Sequence, residues 1–143
     1  MPSLNDLLVA LTIFLEARGE RPEGREAIAH VIATRMAERN QNALDVCLKP
    51  RAFSCWNKRP LMPTVRAYAD GKLVKPDEID IFRHSMDLAD RIKEGKVSTG
   101  TWNHFYNPAK SNPSWAPFLK DIQDIGKHRF GNYKYDPKVE GLR

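Results

Sequence analysis

The stretch that most limits what this chain can fold into is "LLVALTIFLEARGERPEG", residues 7 to 24. From Leu7 to Leu15 the sequence runs without a charge, and the first ionisable group it meets is Glu16. The run is far short of the ~20 apolar residues that span a bilayer, so it reads as a helix that the rest of the chain must cover. Ser3 is placed to cap that helix with Asp6 three residues on, and Leu4, Leu7, Leu8, Leu11, Phe14 and Leu15 recur at helical spacing. The helix is expected to end near Gly19, which puts a carboxylate where an apolar helix opens out.

Burial disfavours the charged form of a carboxyl, so Glu16 is expected to hold its proton towards neutrality and to be able to act as a general acid. A plainer reading has it start the polar end of the helix, paired with Arg18 or Arg21. Pro22 then stands at a helix entrance, and Ala27, Ile28, Val31 and Ile32 trace the apolar stripe of a second helix reaching about Arg39. The two helices are expected to form a hairpin. Arg35 falls on the apolar stripe, where a cation calls for an anionic partner, and Glu20 is the candidate. Snorkelling from the helix end is the alternative.

From Asn40 to Pro63 the periodicity lapses into a long segment containing "KPRAFSCWNKRP", which reads as irregular and as either functional or mobile. A short helix is expected around residues 64–70. Asp77, after Pro76, should cap a clearer one with Phe82, Ser85, Leu88, Ala89 and Ile92 inward and Gly95 at its end. The segment "STGTWNHFYNPAKSNPSWA" is a second aromatic loop with room for a short hairpin, Ser114 should cap a last helix through about Gly126, and the tail is polar. No strand system large enough for a sheet is expected. With 143 residues and 41% hydrophobic content, the chain reads as one mainly α domain over residues 1–143, carrying two long aromatic loops.

Lys and Arg outnumber Asp and Glu by 23 to 18, a formal charge of +5 that attracts polyanions such as nucleic acid, anionic lipid or cell wall. The basic residues are scattered along the sequence, so a plain solvated surface accounts for them equally well. The apolar run lacks a basic leader and a small-residue cleavage site, so neither an export signal nor stable membrane association is expected. Cys47 and Cys55 do not make a disulfide framework, and no Cys/His cluster or HExxH completes a metal pattern, so no metal and no cofactor are expected. Nucleophile elbow, Gly-rich phosphate loop and catalytic Cys motif are all missing, which argues against nucleophilic and phosphoryl chemistry. Of the histidines at 30, 84, 104 and 128, His104 is the one with a functional reading, because it lies in "TWNHFYNP". There Trp102 and Tyr106 offer faces for sugar rings, while His104 and Asn107 offer hydrogen bonds to hydroxyls and amides. The alternative is a hydrophobic cluster beneath a loop.

In order and spacing, "EARGERPEGREAIAHVIATRM" at 16 to 36, "FSCW" at 53 to 56, "HFYNP" at 104 to 108 and "IGKHRF" at 125 to 130 resemble the SleB-type cell-wall hydrolases, a family of spore-cortex-lytic enzymes and bacteriophage endolysins. The resemblance implies a lysozyme-like, lytic-transglycosylase-like helical domain that acts on the peptidoglycan glycan strand with Glu16 as its acid. Glu20, Arg35, Phe53, Ser54, Trp102, His104, Tyr106 and Asn107 are the candidate substrate-binding or supporting residues. Thr34 stands where members often carry Asn. Wall-binding and signal segments common in the family do not accompany the matched pieces, which looks like a phage endolysin made in the host cytoplasm and released through a membrane lesion. The expected partner is bacterial peptidoglycan, not nucleic acid, and the expected state is a monomer. If neither Glu20 nor Asp45 supplies a second carboxylate, the muramic acid C6 hydroxyl must attack C1 itself, as in a lytic transglycosylase. A hydrolytic muramidase, an N-acetylmuramoyl-L-alanine amidase with a zinc site, and a non-catalytic glycan- or nucleic-acid-binding module are the alternatives.

Overall fold

Ser3 opens the first helix, α1 (Leu4–Glu16), with a capping box: its hydroxyl accepts from the Asp6 backbone N–H at 3.1 Å and its own N–H reaches back to Asp6 Oδ2 at 3.4 Å. The computed structural model describes residues 2–140. Leu8 to Phe14 is buried without interruption, so the middle of α1 is enclosed on all sides, which is why no charge occurs between Asp6 and Glu16. The second helix, α2 (Pro22–Arg39), starts on the expected proline and ends at Asn40, whose φ of 51° is the left-handed stop of many helices.

Beyond α2 the expected irregular segment instead holds two short helices, α3 (Ala43–Leu48) and α4 (Ser54–Lys58), and the short helix expected around residues 64–70 is α5 (Leu61–Ala69). The first two are about one turn long, too short for a periodic stripe, and they are fixed by tertiary anchors: Val46, Cys47 and Phe53 are fully buried. Both cysteines are free thiols, and burial pushes that of Cys47 up to about 12. Asp77 does not cap the next helix. Residues Pro76–Glu78 form a 3-10 turn, because Glu78 is drawn into a two-pronged ion pair with Arg18 (2.6 and 2.7 Å), and helix α6 follows at Ile79–Lys93. Its inward residues are the five expected, Phe82, Ser85, Leu88, Ala89 and Ile92. Phe82 meets the rings of Phe14 (5.7 Å) and Tyr68 (4.9 Å), so α6 covers α1 and is pinned from the α5 side. Gly95, at φ 70°, ends it.

The C-terminal third departs most from expectation. No helix spans 114–126, and a sheet is present. Strands β1 (His104–Tyr106), β2 (Lys120–Ile125) and β3 (His128–Asn132) form an antiparallel sheet in the order β1-β3-β2, with a 3-10 turn at Ala116–Phe118 and a last short helix, α7, at Pro137–Glu140. Ile125 pairs with His128 across a two-residue turn whose first residue, Gly126, takes φ 58°, the sign a type II′ hairpin requires there. Gly131 is held by close approach, since a Cβ there would collide with the Leu119 side chain. Phe105 and Phe130 stack at 5.5 Å and tie the sheet to the helical core through Phe53.

Candidate active site

The carboxylate that ends α1 does not pair with either neighbouring arginine, because Arg18 turns away to Glu78. Its partners come from α4, which docks on the last turns of α1 by three side-chain contacts. Trp56 Nε1 donates to Thr12 Oγ1 at 2.9 Å, the Cys55 backbone N–H donates to Glu16 Oε1 at 2.9 Å, and Ser54 Oγ lies 3.2 Å from each Glu16 oxygen. Oε1 is thus held by two donors and Oε2 by a shared hydroxyl alone. This unequal arrangement fixes the carboxyl group and leaves Oε2 the freer oxygen. The group opens on a cleft of about 890 Å³ whose walls are the 49–59 segment on one side and the 104–115 loop with the β2–β3 turn on the other.

Glu20 also lines this cleft, but it does not support Arg35 as the sequence suggested. Its Oε1 accepts from the Lys127 backbone N–H at 2.8 Å and lies 3.3 Å from His128 Nδ1, and its Oε2 would lie 2.5 Å from a Cβ built on Gly126. The glutamate is folded into the β2–β3 turn, with 9% of its side chain exposed. The His128 contact falls within ion-pair distance but lacks hydrogen-bond alignment, so Nδ1 is a buried nitrogen without a partner. Burial lowers the basicity of His128, and the Glu20 and Glu16 charges oppose that shift.

Arg35 is buried without an acidic partner in contact. Its Nε donates to the Asn103 carbonyl at 2.7 Å and its guanidinium sits 5.3 Å over the Phe53 ring. Burial, with Arg39 beside it, brings it down to about 10. Phe53 is fully buried, and neither it nor Trp102 lines the cleft. Trp102 packs on Phe130 and His30, and its Nε1 donates to the Asp121 carbonyl at 3.3 Å, so it braces the sheet and not the cleft. Asp45 sits on α3 and does not line the cleft either.

Ser54, His104, Tyr106 and Asn107 do share the cleft with Glu16. Asn107 folds its own loop: its Oδ1 accepts from the Ala109 N–H and its carbonyl from the Lys110 and Ser111 N–H groups, each at 3.0 Å. Two residues that sequence reasoning passed over complete this wall. Trp115 stands edge-on to both His104 (4.8 Å) and Tyr106 (5.4 Å). Asn103, buried, donates from Nδ2 to Glu38 and to the Tyr133 carbonyl, so its Oδ1 is left to accept from the Tyr133 N–H and from His104 Nδ1 at 2.8 Å. The His104 proton therefore belongs on Nδ1, leaving Nε2 as an acceptor. Burial first, then Arg35 and Arg39, push this histidine down to about 4, so it is neutral near pH 7. The cleft also gathers the charge that looked scattered in the sequence: nine basic and two acidic side chains line it.

Residues 19–131, most of the chain, match the family model described as Cell Wall Hydrolase. The chain belongs to the cell wall hydrolase family. Among curated members, the spore cortex-lytic enzyme of Halalkalibacterium halodurans is 29% identical over 131 residues, covering 90% of this chain and 35% of that protein. That of Oceanobacillus iheyensis is 31% identical over 132 residues, covering 90% and 42%. The chain therefore spans less than half the length of these relatives. Among solved structures, the catalytic domain of the germination-specific lytic transglycosylase SleB from Bacillus anthracis superposes with a TM-score of 0.61 at 28% identity, covering 91% of this chain and 96% of that one. The catalytic domain of the Bacillus cereus SleB protein gives 0.57 at 28% identity, covering 92% of each. The lysozyme-like helical fold expected from the sequence is the fold observed.

Proposed function

We propose that this chain is a single catalytic domain that cuts the glycan strand of peptidoglycan between N-acetylmuramic acid and N-acetylglucosamine, as a lytic transglycosylase with Glu16 as both acid and base. The observation that carries the reading is the unequal state of the two carboxylates in the cleft. Glu20 is already committed to the Lys127 N–H and the β2–β3 turn, whereas Glu16 presents Oε2 to the open cleft. Glycosidases that use two carboxylates set them on opposite sides of the scissile bond, roughly 5–9.5 Å apart according to mechanism. Among the described residues no other Asp or Glu lines this cleft.

With one available carboxyl the steps balance as follows. Protonated Glu16 gives its proton to the glycosidic oxygen as the C1–O4 bond breaks. The muramic C6 hydroxyl closes on C1, and its proton passes to the Glu16 carboxylate, which regenerates the acid. The Cys55 N–H and Ser54 hydroxyl keep the group aimed through both steps, and Trp115 with Tyr106 gives an aromatic wall on which a sugar ring stacks. The similarity to a protein titled a lytic transglycosylase supports the same reading.

The first test is Glu16→Gln, which keeps the shape and loses the proton. Release of soluble fragments from purified peptidoglycan should fall below a few per cent of wild type while the melting midpoint stays nearly unchanged, since the amide keeps a carbonyl oxygen to accept from the Cys55 N–H. Substantial residual lysis would remove Glu16 from the role of acid. A chelator separates this reading from the zinc amidase, whose activity it would abolish. As an endolysin the chain would act only where the wall is reached, so expression in the cytoplasm should leave cells intact until the membrane is permeabilised. Lysis of intact expressing cells would contradict that part.

A further inference from the structure

The charge of this molecule is unevenly placed. The cleft carries a surplus of seven positive side chains, against a surplus of five for the whole chain, so the surface outside it is net negative. Outside the cleft basic and acidic groups are interspersed, and several pair, as Lys93 with Asp6, Lys96 with Glu94 and Arg129 with Asp124. In the cleft the basic groups are crowded together with two carboxylates, and apart from Arg18, which is held by Glu78, six of them, Lys49, Arg51, Lys58 and Arg59 on one wall and Lys110 and Lys127 on the other, are exposed and enter no ion pair among the described residues. Arg39, on the same cleft, has a buried Nη1 with no acceptor. Arg51 holds φ at 66°, in the left-handed region that residues with a Cβ adopt infrequently.

Six unpaired cations in a concavity repel one another, and they focus a positive potential that an anionic ligand relieves. A glycan strand made only of neutral N-acetylhexosamines cannot supply the countercharge. Peptidoglycan can, because its muramic residues bear lactyl-linked peptide stems ending in free carboxylates. Lys and Arg chains on both walls are long and flexible enough to follow stems that leave the strand in different directions. We propose that the cleft selects glycan strands by the carboxylates of their peptide stems, held between the 49–59 wall and Lys110 with Lys127. This rests on the glycan-strand reading for the ligand, but not on the type of bond cleavage.

The test uses the full chain carrying Glu16→Gln, so that binding is read without cleavage. Peptidoglycan sacculi freed of phosphate-bearing polymers are compared with the same sacculi after carbodiimide-driven amidation of their carboxylates, and bound protein is measured by co-sedimentation. At ~50 mM salt, binding should be roughly tenfold tighter to the native sacculi, with the gap closing as salt rises. Adding Arg51→Gln, Lys58→Gln and Arg59→Gln should abolish the preference with the circular dichroism spectrum unchanged. Removing the same charge outside the cleft, by Lys72→Gln, Arg83→Gln and Arg91→Gln, should leave it. Equal binding to both sacculi, or equal loss of preference in the two triple variants, would overturn the proposal. The fragments that wild-type protein releases from either substrate report separately on the reaction. A preference for carboxylates without any glycosidic fragments would retain this proposal and sink the one on function.

Discussion

Glu16 carries its carboxyl between a rigid donor, the Cys55 N–H, and a rotatable one, the Ser54 hydroxyl. That division predicts a graded response. Ser54→Ala removes the partner of Oε2 and leaves Oε1 anchored, so kcat should fall about tenfold with KM nearly unchanged, a loss on the scale of one hydrogen bond to a charged group. An effect confined to KM would assign Ser54 to substrate binding instead. Glu20→Gln keeps a carbonyl oxygen for the Lys127 N–H and should cost a few-fold at most, whereas Glu20→Ala frees the turn and should cost far more in both stability and rate. Equal, complete losses from both with the fold intact would make Glu20 a reacting group. The position of Glu16 at the mouth of the cleft was legible in the sequence because an apolar run, uncharged from Leu7 to Leu15, ends on it. The placements of Asn103 and His128 were not, because the residues they meet lie far along the chain: Glu38 and Tyr133 hydrogen-bonded to the asparagine, Glu20 3.3 Å from the histidine. The expected Glu20–Arg35 pair failed for the same reason, since Arg35 found a distant carbonyl and an aromatic face.

Elements with a long apolar period were readable, and those made by pairing were not. α1, α2 and the inward face of α6 follow directly from residues three and four apart. β2 offers no such signal, being exposed along nearly its whole length, and it is a strand because β3 pairs with it across Gly126. α3 and α4 are about a turn each, and they exist because Val46, Cys47 and Phe53 are buried and Trp56 bonds Thr12. This places two predictions at the level of elements. Gly126→Ala combines a left-handed φ with a Cβ 2.5 Å from Glu20 Oε2, so it should destabilise by about 1–3 kcal/mol and loosen the turn that holds Glu20, seen as a lower denaturation midpoint and a lower rate. A midpoint equal to wild type would show that the turn relaxes freely. Phe82→Ala, which empties the space between Phe14 and Tyr68, should cost about 3–5 kcal/mol in chemical unfolding. A loss below about 1 kcal/mol would mean that α6 repacks.

For the molecule as a whole, acid should act in two windows. His104 is pushed down to about 4 from an ordinary value of 6.5, so the unfolded chain binds a proton that the folded chain refuses. Stability is therefore full above pH 6.5 and falls as pH drops towards 4. His84 and His128, both also lowered, add to the fall. Glu78, drawn down to about 2 by Arg18, contributes stability above pH 4.5 that is lost between 4.5 and 2. Thermal melts should show the midpoint dropping already between pH 7 and 5, and His104→Gln should flatten part of that drop; an unchanged slope would exclude His104 as a source. The concentrated cleft charge predicts in turn that lysis weakens between ~50 and ~200 mM salt. The central claim, one glutamate acting on a strand that attacks itself, is tested most directly by mass spectrometry of the soluble fragments from purified peptidoglycan. Transglycosylation leaves 1,6-anhydro-N-acetylmuramic acid ends, each fragment about 18 Da lighter than its hydrolytic counterpart because no water enters. Anhydro ends that disappear with Glu16→Gln are the predicted result, and only hydrated, reducing muramic acid ends would contradict it and require a second working carboxylate.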